Sequence, residues 1–231
     1  IGKFGVGLKD ALATLNRHGI DVIAKTKHGD ITLEKTEKHG FDDIITLHAV
    51  ISPPSDPNFL GTEFSLKGCD DKELSKAKNL FLIFSGEPVL EKTKYGEILA
   101  KKSTISNIYI NGVKVAEEEN FLFSYNITSM TSTMRKSLNR ERTNVGRTAY
   151  AERIKSILLA SRDSNVARNL ADDLGKYEEG TQHDELKWTE VCVHACKILN
   201  SKGKVVFVTP QEQSSEKHLL DYAKGDGLGV I

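Results

Sequence analysis

The stretch Gly2-Lys3-Phe4-Gly5-Val6-Gly7-Leu8 has the residue types and spacing to hold an anion. Glycines let a backbone approach a ligand closely and take turns that a Cβ resists. Leu8, Ala11, Leu12 and Leu15 follow at helical spacing, so a helix starts directly after the glycines. Its first N–H groups and the positive end of its dipole then face the same place. Phosphate is the ligand that such an arrangement suits. Lys3 and Lys9 would add charge at its mouth, or serve only as solvated lysines at a helix start. The box lacks the Gly-Lys-Ser/Thr ending of a Walker loop, and no strand precedes it as in a dinucleotide fold. Glycine turns before helices also occur without any ligand, and the box alone leaves that reading open.

A second group is basic. Arg140 and Arg142 lie in Leu138–Arg147, near Arg135, Lys136, Arg153 and Lys155, with Glu141 and Glu152 opposing them. Such a patch has three readings: stabilising charge on a transferred phosphoryl group, contacting a nucleic-acid backbone, or bridging Glu and Asp at a domain seam. The aromatic interleaving that base stacking needs is lacking. Cys192 and Cys196, four apart around His194, stand on an expected helix with no second ligand cluster elsewhere. They read as small apolar thiols on a half-buried face rather than metal ligands.

The elements that position these groups follow from periodicity. After the first helix, β-like runs cover 20–27, 31–38 and 44–51, and Pro53-Pro54-Ser55-Asp56-Pro57 ends the third. Gly61-Thr62 opens another strand with Thr62, Phe64 and Leu66 on one face. Asp70 and Glu73 form a capping box for a helix whose Leu74, Ala77, Leu80, Phe81 and Phe84 make a buried stripe. The polar, Lys-rich stretch 85–104 reads as surface chain. Asn111-Gly112 marks a type I′ hairpin between 105–110 and 113–116, and 121–127 is a further strand. Helices follow over 147–162, around Val166, Leu170 and Leu174, and from Trp188 through Leu199. Lys204–Val208 reads as a strand buried on both faces. Thr209-Pro210-Gln211-Glu212 caps another helix, and Leu228–Ile231 begins a closing strand, giving a β-α-β unit.

The totals bound the class. With 231 residues, 39% hydrophobic and 28% charged, the chain suits one large domain or two small ones. Lys plus Arg and Asp plus Glu are both 32, so net charge favours no partner class. No apolar run approaches the roughly twenty residues of a membrane helix. Three cysteines give no disulfide framework, and a reducing cytoplasm or nucleus is the expected compartment.

Ile1-Gly2-Lys3-Phe4-Gly5-Val6-Gly7-Leu8-Lys9-Asp10-Ala11 resembles the second glycine box of GHKL ATPases, and is nearest to the ninety-kilodalton heat-shock chaperone and Microrchidia versions. Gly61-Thr62 resembles that superfamily's later Gly-Thr element. The likeness covers residues 1 to about 85, and its second motif is only a dipeptide in the right place. It implies an α+β fold: the back portion of a GHKL (Bergerat-type) α/β sandwich over 1–127. A helical and β-α-β region, similar in place to a transducer, would fill 128–231. It also implies ATP with magnesium. Gly5, Val6 and Gly7 would hold phosphates, flanked by Gly2, Lys3, Phe4, Leu8 and Lys9, with Thr62 toward the adenine. Arg140 and Arg142 would sense the terminal phosphate, because Asn139-Arg140-Glu141-Arg142 loosely resembles the stretch that does so in the chaperone. The expected partners are ATP, a second copy in a dimerisation cycle, and nucleic acid through residues 135–155.

The superfamily's Glu-x-x-x-Asn box, which supplies general base and magnesium ligand, has no match here, since no Glu is followed by Asn four residues later. Its adenine box is missing too, because Gly225-Asp226-Gly227-Leu228-Gly229 is out of register. Both are expected upstream of a chain that opens inside a motif and without Met. The fragment alone should bind rather than hydrolyse ATP; the alternatives are a non-hydrolysing ATP-binding scaffold and a nucleic-acid-handling factor that uses the basic segment 135–155.

Overall fold

A computed structural model of the chain describes residues 6–137, 145–176, 180–201 and 205–230. It divides into two compact units, Ile1–Ala77 and Lys78–Ile231. Helices and largely antiparallel sheets are segregated along the chain, which makes the class α+β, as expected.

In the first unit, α1 (Gly7–Arg17) runs into a turn at Gly19, whose φ of +72° suits a residue without a Cβ. The chain then forms β1 (Asp21–Thr26), β2 (Gly29–Lys38), β3 (Phe41–Ser52) and β4 (Thr62–Lys67). They make an antiparallel sheet in the order β3-β2-β1-β4. Register decides the faces. Ala24 lies opposite both Ile31 and Phe64, Val22 opposite Leu66, and Thr26 opposite Thr62. Since side chains alternate along a strand, Val22, Ala24, Thr26, Ile31, Leu33, Thr62, Phe64 and Leu66 share one face. The proline-rich break after Ser52 falls where the sequence places it.

The chain leaves this unit in α2 (Asp71–Lys78). Its start is capped reciprocally: Glu73 N–H donates to Asp70 Oδ1 (2.7 Å) and Asp70 N–H to Glu73 Oε2 (3.3 Å). The long buried stripe expected beyond it does not form. Leu74, Leu80, Phe81 and Phe84 are 46%, 42%, 42% and 57% exposed. Leu80–Leu82 instead pairs as extended chain with the Asn111-Gly112 turn and the strand after it. Leu82 N–H donates to Gly112 O (2.9 Å), Lys114 N–H to Leu80 O (2.8 Å), and Phe81 bridges Val113. Backbone groups next to that turn win over helix propagation, and only a one-turn α3 (Leu82–Ser85) follows.

The second unit is built on five strands: β5 (Val89–Lys92), β6 (Gly96–Leu99), β7 (Ser106–Ile110), β8 (Val113–Glu118) and β9 (Ser124–Ile127). Their order is β5-β6-β9-β7-β8, with only β7 and β9 parallel. Two of these strands lie in the stretch read as polar surface chain, yet Ile98 and Leu99 of β6 are fully buried. They were hidden because lysines dominate the composition around a four-residue strand. The β7–β8 turn is as expected, with Asn111 and Gly112 at φ +49° and +78°.

Helices α4 (Ser132–Ser137), α5 (Arg147–Ala160), α6 (Ser164–Leu174) and α7 (Thr189–Ser201) follow. Tyr150, Ile154, Ile157 and Leu158 of α5, Val166 and Leu170 of α6, and Val191 and Leu199 of α7 join Ile98, Ile108, Tyr125 and Ile127 in one core. Ile127 therefore stands inside a shared hydrophobic core, with strands before it and helices after it packed together. The tail pairs β10 (Val205–Val206) in parallel with β11 (Gly229–Val230) through α8 (Pro210–Ser215) and α9 (Lys217–Gly225). Thr209 caps α8 with the expected box. Val205 and Val206 are half-buried, not buried on both faces, because among the described residues this sheet has only two strands. Among the described residues no helix is long and apolar enough to cross a membrane.

Candidate functional site

The first turn of α1 is open. Val6 precedes the helix without any side-chain cap, and among the described residues the first amide to close back is Asp10 N–H on Val6 O (3.0 Å). The N–H groups of Gly7, Leu8 and Lys9 thus belong to the set that a helix start leaves unpaired by geometry. Val6, Gly7, Leu8 and Lys9 are all exposed there. Asp10, in the same turn, already places a negative charge on the dipole and works against a second anion.

Beside this turn lies a concavity of about 340 Å³ walled by Leu8, Leu12, Val22, Ala24, Thr26, Ile31, Leu33, Thr62 and Phe64. It arises because α1 covers only part of the apolar sheet face. Leu8 remains 59% exposed and Phe64 49%. Thr26 and Thr62 are cross-strand partners at one end of β1 and β4, so both hydroxyl side chains reach the same wall. Thr26 is committed locally: its hydroxyl donates to Gly29 O (3.0 Å) and accepts from His28 N–H (3.1 Å). Gly61, at φ +105°, makes the turn that delivers Thr62 into the strand, which accounts for the Gly-Thr pair in backbone terms.

Leu8 and Thr62, 54 positions apart, are therefore brought to one hollow, with the helix start beside it. Gly2, Lys3, Phe4 and Gly5 lie outside the described residues, as do Arg140 and Arg142. The walls formed by Val22, Ala24, Ile31 and Leu33 were not singled out from the sequence. The period-2 alternation of the first two strands, read for which face it presents, is the signal that could have found them.

The basic segment is described only at its edge. Arg147 opens α5, and its guanidinium reaches Asp184 Oδ2 (2.5 Å) and Glu118 Oε1 (3.5 Å) and lies 4.5 Å from the centre of the Phe121 ring. Burial opposes the charge, but the bond to Asp184 and the field of Glu118 raise its pKa overall. Asp184 sits on a single 3₁₀ turn, Asp184–Lys187, and also accepts from Asn120 Nδ2 (2.9 Å) and pairs with Lys187 (2.7 Å). Burial pushes its carboxyl up, but Lys187, Arg147 and Asn120 together hold it below the ordinary range. Arg147 is thus matched by two carboxylates of its own unit, Glu118 and Asp184. Next to it, fully buried Glu185 accepts from Leu122 N–H (2.9 Å), Phe123 N–H (3.2 Å) and Tyr125 O–H (2.8 Å). Burial drives its pKa up, and these bonds offset only part of the shift. Among the described residues no group of three or more His, Cys, Asp or Glu could hold a metal ion.

The described residues thus define an α+β protein whose first unit carries a half-covered sheet beneath a helix start. Residues 72–164 match the family described as Mycoplasma pneumoniae MPN635 N-terminal domain, a segment that falls almost wholly in the second unit. An uncharacterized protein of Mycoplasma pneumoniae is 36% identical over 167 residues, covering 72% of this chain and 67% of the relative. The chain belongs to the family of that protein. A second uncharacterized protein of the same organism is 28% identical over 169 residues, and the chain spans about half of its length, 47%. No solved structure matches the chain.

Proposed function

We propose that the first unit binds the nucleotide ATP, with the base against the apolar concavity and the phosphates at the start of α1. The observation that carries this reading is the convergence of an uncapped helix start, Leu8 and Thr62 on one hollow of about 340 Å³. An apolar hollow with few polar groups at one end suits a flat heterocycle. Unpaired amides suit phosphate oxygens. The glycine box Gly2–Leu8 and the Gly61-Thr62 pair, which resemble those of GHKL ATPases, support the same assignment. On this reading the fold of the first unit is the back portion of a GHKL sandwich. Hydrolysis with magnesium and a nucleotide-driven dimerisation or conformational cycle are proposed for the whole protein, which would supply a general base and metal ligand from other segments.

Calorimetry with a non-hydrolysable ATP analogue, with and without magnesium, tests the proposal. Two variants move affinity in opposite directions. Leu8→Glu places a carboxylate beside the phosphates at an exposed position and should weaken binding by about fivefold or more. Asp10→Asn removes a competing charge from the first turn and should tighten it by about two- to fivefold. Misfolding cannot tighten binding, so the pair separates charge from damage. No heat with the native chain, or equal affinity in both variants, would reject the site.

A further inference from the structure

The second unit carries a pair of thiols, Cys192 and Cys196, on one helix. Four apart on α7, they stand one above the other on the same helix face. Both are free and half-buried, and both line one concavity of about 340 Å³ in the second unit, with Leu174, Val193 and Phe207 as apolar walls and Lys197 and Asn200 beside them.

Distance decides what such a pair can do. Side chains at this helical spacing have Cβ atoms about 5–6 Å apart. A disulfide needs Cβ atoms about 3.5–4.5 Å apart, so joining these two would unwind the helix. Two Sγ atoms turned toward each other across that gap are separated by roughly twice a metal–thiolate bond of about 2.3 Å. Zinc takes four ligands, and among the described residues no third or fourth His, Cys, Asp or Glu joins the pair. A soft cation that is content with two thiolates fits instead.

We propose that Cys192 and Cys196 form a two-coordinate site for a soft, thiophilic cation of the Cu(I) class. Both thiols lose their protons to solvent, two S–Cu bonds form, and copper stays in the +1 state, so no oxidant or reductant is needed. The bis-thiolate carries one net negative charge, and the ammonium of Lys197, lining the same concavity, offsets it. Leu174, Val193 and Phe207 place apolar surface beside the pair. The cost is the weak bond that Cys192 Sγ–H donates to Leu186 O (3.3 Å), together with burial, which raises both thiols' pKa values. Metal uptake should accordingly strengthen as pH rises.

The test is an anaerobic titration of the whole chain with Cu(I) against a chromophoric Cu(I) chelator, reading chelator absorbance and the thiolate-to-copper band in the near ultraviolet. The native chain should withdraw one Cu(I). Cys192→Ser and Cys196→Ser should each weaken uptake by roughly 10²-fold or more, the loss expected when the second of two linked contacts disappears. Cys69→Ser, altering the exposed third cysteine, should leave it unchanged. Cys192→Ala and Cys196→Ala, whose helicity is checked by circular dichroism, repeat the test should a serine disturb the core. No uptake by the native chain, uptake that follows Cys69, or single variants that bind as tightly as the native chain would overturn the site.

Discussion

Replacing Glu185 by Leu and by Gln separates two things that the buried carboxylate does. Its side chain is 0% exposed and receives three donors, from Leu122, Phe123 and Tyr125. Glu185→Leu strands all three. At about 1–3 kcal/mol for each orphaned donor, less the apolar gain of a buried Leu, the second unit should lose about 2–6 kcal/mol. That is a large share of the 5–15 kcal/mol of a typical domain. Glu185→Gln keeps the acceptor oxygen at the position of Oε1, which all three donors reach, and removes a buried charge. It should fall within about 1 kcal/mol of the native chain. Urea unfolding followed by the fluorescence of Trp188 reads this directly, since it is the chain's single Trp and packs edge-on to Phe121 at 6.2 Å. The pH dependence has a definite sign. Burial raises the folded pKa of Glu185 above its ordinary 4.5, so its contribution is fully present below pH 4.5 and is lost as pH rises through the folded value. Glu185→Gln should flatten that fall. A Gln variant as unstable as the Leu variant would show that the charge, not the acceptor, is needed. A Leu variant within about 1 kcal/mol of native would show that the three bonds contribute little.

Acid should act oppositely on Asp173 and Asp184, whose folded pKa values lie below the ordinary 3.8. Their contributions are present above that value and vanish as pH falls through the folded ones, so Asp184→Asn should reduce acid sensitivity in urea titrations below about pH 4. Gly96→Ala would bring a Cβ to 2.4 Å from Asn126 O and 2.7 Å from Ile157 Cδ1, so thermal unfolding should show about 1–3 kcal/mol or more lost. Thr62→Val keeps the strand but removes the hydroxyl from the concavity wall, and calorimetry should show nucleotide affinity reduced with little change in unfolding. Equal affinity would place Thr62 outside the contact.

Local chemistry was legible in the sequence by itself. Asn111-Gly112 demanded positive φ at adjacent residues, and Asp70/Glu73 and Thr209/Glu212 carried complete capping boxes, because such devices act within a few residues of chain. The first helix and the four strands after it followed from their periods, and Leu8 and Thr62 were named before anything placed them together. Tertiary structure decided the rest, because it depends on distant partners. Leu80–Leu82 left its helix when the Asn111-Gly112 turn offered backbone groups to pair with. Ile98 became core among lysines because β9 and α5 lay ready to cover it. Arg147 proved to be held by Glu118 and Asp184, carboxylates 29 and 37 positions away that no spacing rule could have paired with it. The candidate site divides in the same way. Spacing supplies a glycine turn, a helix and a Gly-Thr strand, but the hollow between them exists only because α1 covers less of the sheet face than the register of four strands exposes.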